Sequence, residues 1–192
     1  SRGVPVFNAP GANANAVKEL TIAALLISAR NICAARDYVN SIDLDDVNLK
    51  SSIEKGKKQF AGIELPGRTL GVIGLGSIGV NVANAALALG MKVIGFDPKV
   101  TVTNAWKLSS GVEKVDDLDA IFKRSDAVTV HVPLVEQTKN LINSECLNLL
   151  RKNSILINFS RGGVVNTTDV LTALNENLLS SFVCDFPEPA LI

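Results

Sequence analysis

Residues 69–79, Thr-Leu-Gly-Val-Ile-Gly-Leu-Gly-Ser-Ile-Gly, are the stretch from which the fold of this chain can be predicted. The first five residues form an apolar run that is typical of a buried strand, and three closely spaced glycines follow it. Apolar residues then recur at helical spacing from Ile78 to Leu89, and Gly90 ends the pattern. This succession of strand, glycine turn and helix predicts one unit of a parallel α/β sheet.

The glycine turn is predicted to hold a pyrophosphate. Gly74 allows a tight turn after the strand, Gly76 lets the backbone approach the phosphates, and Gly79 lets helix and strand pack closely. The helix that begins at Ser77 and Ile78 offers unpaired N–H groups and its positive dipole end to the same phosphates. A tight turn without any ligand is the alternative, and the strand and helix on either side favour the dinucleotide site.

An acidic residue follows the second predicted strand, Lys92–Phe96. Asp97, with Pro98 after it, lies about 20 residues beyond the glycines, where a carboxylate accepts hydrogen bonds from the adenosine ribose. Its negative charge would repel a 2′-phosphate, so the sequence favours NAD over NADP, although Lys99 lies nearby. The alternative for Asp97 is an acidic residue of a surface loop.

Apolar runs and helical patterns alternate through the rest of the chain, which predicts a Rossmann-type doubly wound parallel sheet with helices on both faces. The further strands are predicted near Val112 and at Ala127–Val132, Ser154–Phe159 and Ser181–Cys184, and the helices at Asp116–Lys123, Ser144–Leu150 and Thr167–Leu174. Ahead of this core (67–192), residues 1–66 are predicted to hold a short strand at Val4–Phe7, a long helix from about Asn13 to Arg30 or beyond, and a polar connecting arm, helical in pieces, from Asp37 to Gly62.

Charge and composition exclude several classes of function. Lys plus Arg and Asp plus Glu number 19 each, so zero net charge argues against a general nucleic-acid or anionic-membrane binder. Three scattered cysteines and one histidine predict no metal site, and reduced thiols fit a cytoplasmic protein. Because the chain begins with Ser1 and contains only Met91 as methionine, we expect it to be a segment of a longer protein.

Six segments together resemble the D-isomer-specific 2-hydroxyacid dehydrogenase family: residues 6–13, 67–76, 85–93, 130–134, 158–163 and 185–187. The most specific is Asn158-Phe159-Ser160-Arg161-Gly162-Gly163. The resemblance covers essentially the whole chain and implies that residues 1–192 form an NAD-binding domain without its substrate domain. It implies hydride transfer between NAD and a D-2-hydroxy acid, and it is greatest to the members that convert D-3-phosphoglycerate into 3-phosphohydroxypyruvate for serine synthesis.

Two residues are predicted to take part in catalysis. Arg161 follows a buried strand at its carboxyl end, where ligands bind in such sheets, and its guanidinium can hold a carboxylate bidentately. By resemblance it is the family's catalytic arginine; a solvated loop arginine is the alternative. Glu188 resembles the glutamate that pairs with the family's histidine base, but its spacing is one residue short, so a solvated loop residue is equally expected. The histidine base itself is expected beyond Ile192, so the chain alone should bind NAD without turning over substrate.

The remaining cofactor contacts are implied by the resemblance. His131, Val132 and Pro133 match the cofactor-lining loop, although a lone histidine at a strand end is usually structural. Further predicted contacts are Thr138 near the nicotinamide-side phosphate and ribose, Ser160 beside Arg161, Asp185 (or Cys184 one position earlier) for the nicotinamide amide, and Asn13 and Asn15 near the hydroxyacid, with helix capping as their alternative.

Several other functions remain open for this sequence. The substrate can be another 2-hydroxy acid, such as lactate or glycerate, or glyoxylate as the acid that is reduced. The same sheet also serves other NAD-linked dehydrogenases and methyltransferases. A non-enzymatic NAD sensor, as in corepressors that resemble this family, would keep the glycine turn and Asp97. A homodimer is expected by resemblance, through the long helix and the arm at Asp37–Gly62.

Overall fold

The computed structural model describes residues 3, 7, 9, 11–43 and 48–191 of the chain. Within them, six parallel strands form one sheet in the order β3-β2-β1-β4-β5-β6. The strands are β1 (Thr69–Ile73), β2 (Lys92–Phe96), β3 (Val112–Lys114), β4 (Ala127–Val130), β5 (Ser154–Asn158) and β6 (Leu179–Cys184). Because the strand order reverses between β1 and β4, the carboxyl ends of the two halves border one crevice. The predicted Rossmann-type fold is confirmed.

Helices cover both faces of the sheet. They are α1 (Ala14–Ala29), α2 (Ile32–Ser41), α3 (Leu49–Gly56), α4 (Ser77–Ala88), α5 (Val102–Lys107), α6 (Leu118–Arg124), α7 (Ser144–Leu147) and α8 (Thr167–Asn175). Short 3-10 helices lie at Lys57–Phe60, Glu136–Thr138, Gly162–Val164 and Pro189–Leu191. Helices α1 and α4 pack together and against the strands on one face, while α6, α7 and α8 contribute to the core on the other.

Two apolar clusters, one on each face of the sheet, make the core. Val72 of β1 packs with Leu25 of α1 on the first face, and Ile73, its neighbour, packs with Phe122 of α6 on the second. Full burial of one such side chain contributes roughly 1.5–3 kcal/mol to stability. Burial on both faces is the reason that these strands have nearly continuous apolar sequences.

The long first helix is shorter than predicted. Helix α1 ends at Ala29, and Asn31 then adopts a left-handed backbone conformation with φ of 52°, so that α2 starts in a new direction. Asparagine tolerates this conformation better than other non-glycine residues. The helical spacing of apolar residues continues past this break, so the sequence pattern did not indicate it.

One further element differs from prediction, and another lies almost wholly outside the described residues. Helix α5 was missed because it is short and begins with a β-branched residue; its only sequence signal is Thr101, whose side chain accepts a hydrogen bond from the backbone N–H of Asn104. The predicted strand at 4–7 falls on Val4–Val6, which lie outside the described residues, and Phe7 belongs to no strand.

The connecting arm is helical in pieces, as predicted. Helices α2 and α3 bury no residue in the core. Two contacts of Tyr38 hold this region together. Its hydroxyl donates to the carbonyl of Ser52 at 3.0 Å, and the centre of its ring lies 5.3 Å from that of the Phe60 ring. The arm therefore lies outside the sheet and takes no part in the crevice.

Candidate functional site

Two cavities meet at the carboxyl edge of the sheet, one on either side of the loop His131-Val132-Pro133. The Asp97-side cavity has a volume of about 510 Å³ and the Arg161-side cavity about 550 Å³. The three loop residues border both cavities, so the two form one cleft. Each volume lies within the range of about 300–1,000 Å³ that is usual for small-molecule sites.

The glycine turn lies between β1 and α4 at the edge of this cleft. Gly74 has φ of 91°, and a side chain there would press on the backbone of His131. A Cβ at Gly79 would collide with the carbonyl oxygen of Gly74, whereas a Cβ at Gly76 would have no atom within 4 Å. Gly74 and Gly79 are therefore required by the fold, and Gly76 opens onto free space.

Four consecutive N–H groups surround that space. None of the described residues accepts a hydrogen bond from the backbone N–H groups of Gly76, Ser77, Ile78 and Gly79. They are the first N–H groups of α4, where the helix dipole is positive. This arrangement suits a phosphate group, as the sequence predicted.

Asp97 stabilises the glycine turn from the neighbouring strand. Its Oδ2 accepts a hydrogen bond from the N–H of Leu75 at 2.8 Å, and its Oδ1 accepts one from the N–H of Lys99 at 2.7 Å. A carboxylate has about four acceptor positions, so two remain for ribose hydroxyls. Asp97 and Pro98 both line the Asp97-side cavity.

His131 carries no positive charge at neutral pH. Burial lowers its pKa to about 4, and its Nε2 lies 2.9 Å from the hydroxyl of Thr129, which is fully buried. The backbone N–H of His131 donates to the backbone carbonyl of Ile73, and this bond fixes the loop beside the glycine turn. His131 is thus an uncharged residue that lies between the two cavities.

Thr138 lines the Asp97-side cavity. Its hydroxyl donates to the carbonyl of Pro133 at 2.6 Å and accepts from the N–H of Val135 at 2.9 Å. The hydroxyl is thereby used to fold the loop that borders the cleft. Thr138 therefore shapes this loop, and its contact with the nicotinamide-side phosphate and ribose stays a prediction.

Arg161 stands at the far wall of the Arg161-side cavity, after β5. Its Nη1 donates to the carbonyl of Ser160 at 2.7 Å, and its guanidinium carbon lies 6.0 Å from the centre of the Phe186 ring. No carboxylate of the described residues forms an ion pair with it. The guanidinium is therefore available to an anionic ligand.

The other predicted site residues are divided between the cleft and the surface. Ile78, Ser160 and Asn13 line the Arg161-side cavity, and Asn13 makes no side-chain capping bond. Asn15 lies on the surface of α1, where it bonds Glu19 and Lys18, so the structure does not bring it to the cavity. The side chains of Ser77, Asp185 and Glu188 are exposed and line neither cavity.

Several residues of the cleft were not identified from the sequence. Phe96, Lys99, Val135, Gln137 and Leu141 line the Asp97-side cavity, and Val17, Leu134 and Phe159 line the Arg161-side cavity. The only available signal was the polar segment after Pro133, which is too long for a simple turn. The apolar residues of this set gave no signal because they resemble ordinary core residues.

Three general properties can be stated for the part of the chain that the structure describes. None of its helices is long and apolar enough to cross a bilayer. It contains no group of three or more His, Cys, Asp or Glu side chains that could hold a metal ion. The three cysteines are not joined in disulfides.

Residues 22–191 match the family described as D-isomer specific 2-hydroxyacid dehydrogenase, NAD binding domain. The chain belongs to this family. As a dehydrogenase domain it is 40% identical over 184 residues to D-3-phosphoglycerate dehydrogenase of Methanocaldococcus jannaschii, covering 96% of this chain and 33% of the relative. It is also 40% identical over 182 residues to hydroxypyruvate reductase of Thermotoga maritima, covering 95% and 53% of the two chains.

The fold of the dehydrogenase domain is shared with solved structures. D-lactate dehydrogenase of Aquifex aeolicus, complexed with NAD and lactic acid, superposes with a TM-score of 0.79 at 30% identity, covering 98% of this chain and 52% of that one. The chain thus spans a third to about half of the length of these relatives. The predicted family and the predicted cofactor, NAD, are both confirmed.

The geometry of the cleft fits NAD. The free N–H groups at the start of α4 face open space at Gly76, so they can receive the pyrophosphate. Asp97 has acceptor positions left for ribose hydroxyls in one cavity, and Arg161 lies in the other. The loop His131-Val132-Pro133 borders both cavities and separates them.

Proposed function

We propose that the protein that carries this domain oxidises D-3-phosphoglycerate to 3-phosphohydroxypyruvate, or runs the reverse reduction, as a step of serine biosynthesis. The observation that carries the hydroxyacid part of this proposal is Arg161, an unpaired cation at the open end of an NAD cleft. Several relatives named D-3-phosphoglycerate dehydrogenase support the choice of substrate.

Arg161 has two tasks in this reaction. Its guanidinium binds the carboxylate of the hydroxyacid, and the same positive charge stabilises the oxygen of the carbonyl that forms. When bound, NAD would supply the acceptor for the hydride of the hydroxyl-bearing carbon. The hydroxyl proton passes to a base, which we assign to a histidine in the substrate-binding part of the protein, supported by the carboxylate of Glu188.

The amide of nicotinamide is assigned to Asp185 and not to Cys184. Side chains alternate along β6: Val183 packs against the cluster under α1, and Phe182 packs on the opposite face. Cys184 follows the alternation of Phe182, away from the face whose residues line the Arg161-side cavity.

Ligand binding and turnover test this proposal separately. NAD at about 100 times its dissociation constant should stabilise the purified domain by roughly 2.7 kcal/mol, whereas S-adenosylmethionine should not. The full-length protein should oxidise D-3-phosphoglycerate, and the domain alone should not. Glycerate, lactate, glyoxylate and hydroxypyruvate form the comparison panel. NAD binding without oxidation or reduction of any of these acids would contradict the enzyme and favour an NAD sensor.

We further propose a cytoplasmic homodimer that associates through α1 and the connecting arm. Large apolar side chains are exposed on these helices, including Leu20, Ile32 and Val39, with exposed fractions of 46%, 50% and 55%. An apolar surface of this kind is typical of a contact region. Light scattering should give twice the subunit mass for the wild type, and Val39→Glu should shift the mass toward the monomer. A monomeric wild type would contradict the dimer.

A further inference from the structure

Asn158 is a polar residue at the end of β5 with only 1% of its surface exposed. Its side chain makes three hydrogen bonds, all to the next turn of the chain. Nδ2 donates to the carbonyl of Arg161 at 2.9 Å. Oδ1 accepts from the N–H of Ser160 at 3.0 Å and from the Ser160 hydroxyl at 2.6 Å. The amide thus closes the turn that carries Arg161.

No regular secondary structure holds this turn. Arg161 has an extended backbone, with φ of −150° and ψ of 141°, and the 3-10 helix begins only at the next residue. Apart from Asn158, the backbone of Arg161 is bonded through the N–H of Val164, which donates to the same carbonyl at 3.2 Å. Because the arginine side chain is long, a small rotation of this backbone displaces the guanidinium much further than the carbonyl.

We propose that Asn158 is a positioning residue that sets the direction of Arg161 toward the hydroxyacid carboxylate. This inference rests on the proposed function, because Arg161 receives its role there. An amide is required, since the residue must donate to one backbone group and accept from another at the same time. A carboxylate at this position can only accept, and it would face the carbonyl of Arg161 without a proton to donate.

A purely structural role for Asn158 predicts a different result. Satisfying a buried amide would contribute to stability, and its loss would lower the melting temperature without changing kcat of the folded protein. A positioning role predicts lower kcat in folded protein, since misplacement of a substrate-binding group by about 1 Å can cost on the order of 100-fold in rate.

The test is the substitution Asn158→Asp in the full-length enzyme, with Asn143→Asp as the matched control. Asn143 caps α7 through its Oδ1, which accepts from the N–H groups of Glu145 and Cys146, so an aspartate there keeps both bonds. We expect kcat to fall about 10- to 100-fold for Asn158→Asp and to stay within about twofold for Asn143→Asp. The dissociation constant of NAD should stay within about twofold in both.

The rate of trypsin cleavage after Arg161 reports how readily the turn opens, and this measurement does not depend on catalysis. The side chain is exposed, and cleavage requires the turn to open. Asn158→Asp should raise the cleavage rate there about tenfold relative to the rate after the exposed Lys152, and Asn143→Asp should not. If the wild type oxidised no hydroxyacid, the proposed function would fail, and this rate would still decide whether Asn158 holds the turn.

If Asn158→Asp does not fold, Asn158→Ala replaces it in the same measurements, because alanine removes the same donor without adding a buried charge. Lower kcat together with faster cleavage after Arg161 supports positioning in either variant. Unchanged kcat in a folded variant with a lower melting temperature overturns the inference and leaves Asn158 a structural residue.

Discussion

The two cavities of the cleft differ in how completely this chain forms them. The Asp97-side cavity is surrounded by groups that are already hydrogen-bonded: Asp97 to the glycine turn, and Thr138 to its own loop. In the Arg161-side cavity the main polar group is an exposed cation with no carboxylate partner among the described residues. The first cavity is preorganised for binding, and the second depends on a ligand and on groups from elsewhere. We therefore expect substitutions in the Asp97-side cavity to change the affinity for NAD, and substitutions in the Arg161-side cavity to change the rate of the reaction.

The largest effect is expected in the glycine turn, at the edge of the cleft. Gly79→Ala places a Cβ on the carbonyl of Gly74, a backbone group that cannot move aside, and should destabilise the fold by at least about 3 kcal/mol. Gly76→Ala meets no atom within 4 Å, so its melting temperature should not change. Its methyl group nevertheless occupies the predicted phosphate site.

Thermal denaturation and calorimetric titration with NAD distinguish these two variants. Gly76→Ala should fold as the wild type does and bind NAD at least about tenfold more weakly, a loss of about 1.4 kcal/mol. Wild-type affinity in Gly76→Ala would mean that the pyrophosphate lies elsewhere.

Arg161→Gln should lower kcat/KM of the full-length enzyme by about 100- to 1,000-fold, because an uncharged amide cannot hold the carboxylate or the developing oxyanion. Affinity for NAD should stay within about twofold. Arg151→Gln is the control, since that exposed arginine pairs with Asp126 away from both cavities. An unchanged kcat/KM in Arg161→Gln, or a weaker affinity for NAD, would contradict the expectation that the Arg161-side cavity serves the reaction and not the binding of NAD.

His131 should make stability depend on pH. Its pKa is about 4 in the folded protein, against about 6.5 when unfolded, so the unfolded chain binds more protons between these values. Stability is therefore lost as pH falls from 6.5 toward 4, by about 2 kcal/mol between pH 7.5 and 5.

Urea denaturation at pH 7.5 and pH 5 tests this expectation. His131→Gln should lose about 2 kcal/mol less than the wild type between these two conditions, since His131 is the only histidine of the chain. Equal losses in the two proteins would show that the imidazole is freely solvated.

The smallest effect is expected for Asp97→Asn. The N–H groups of Leu75 and Lys99 bond different oxygens of Asp97, and asparagine replaces one of these oxygens with an NH2 group that cannot accept, so one of the two bonds and its ribose acceptor position are lost. We expect the dissociation constant of NAD to rise about tenfold and the preference over NADP to fall. Asp117→Asn, which keeps the cap of α6, should change neither. Unchanged discrimination between the two cofactors would contradict the role of Asp97.

The sequence allowed the strands and the glycine turn to be predicted because these depend on local rules. A strand buried on both faces must be apolar, and a backbone at φ of 91° with another chain segment against it accepts only glycine. The break at Asn31 and helix α5 were missed, since each depends on one capping or left-handed residue inside a misleading pattern.

By itself, then, the sequence determined the α/β class and the glycine turn, and it predicted Asp97 and Arg161 as site residues, through the residue types that those positions require. Only the tertiary structure decided which side chains meet. The burial of Asn158 and of His131 and the bond from the N–H of Leu75 to Asp97, 22 residues away, follow from packing between elements far apart in the chain. Burial and hydrogen-bond geometry are properties of the folded whole, and no local pattern encodes them.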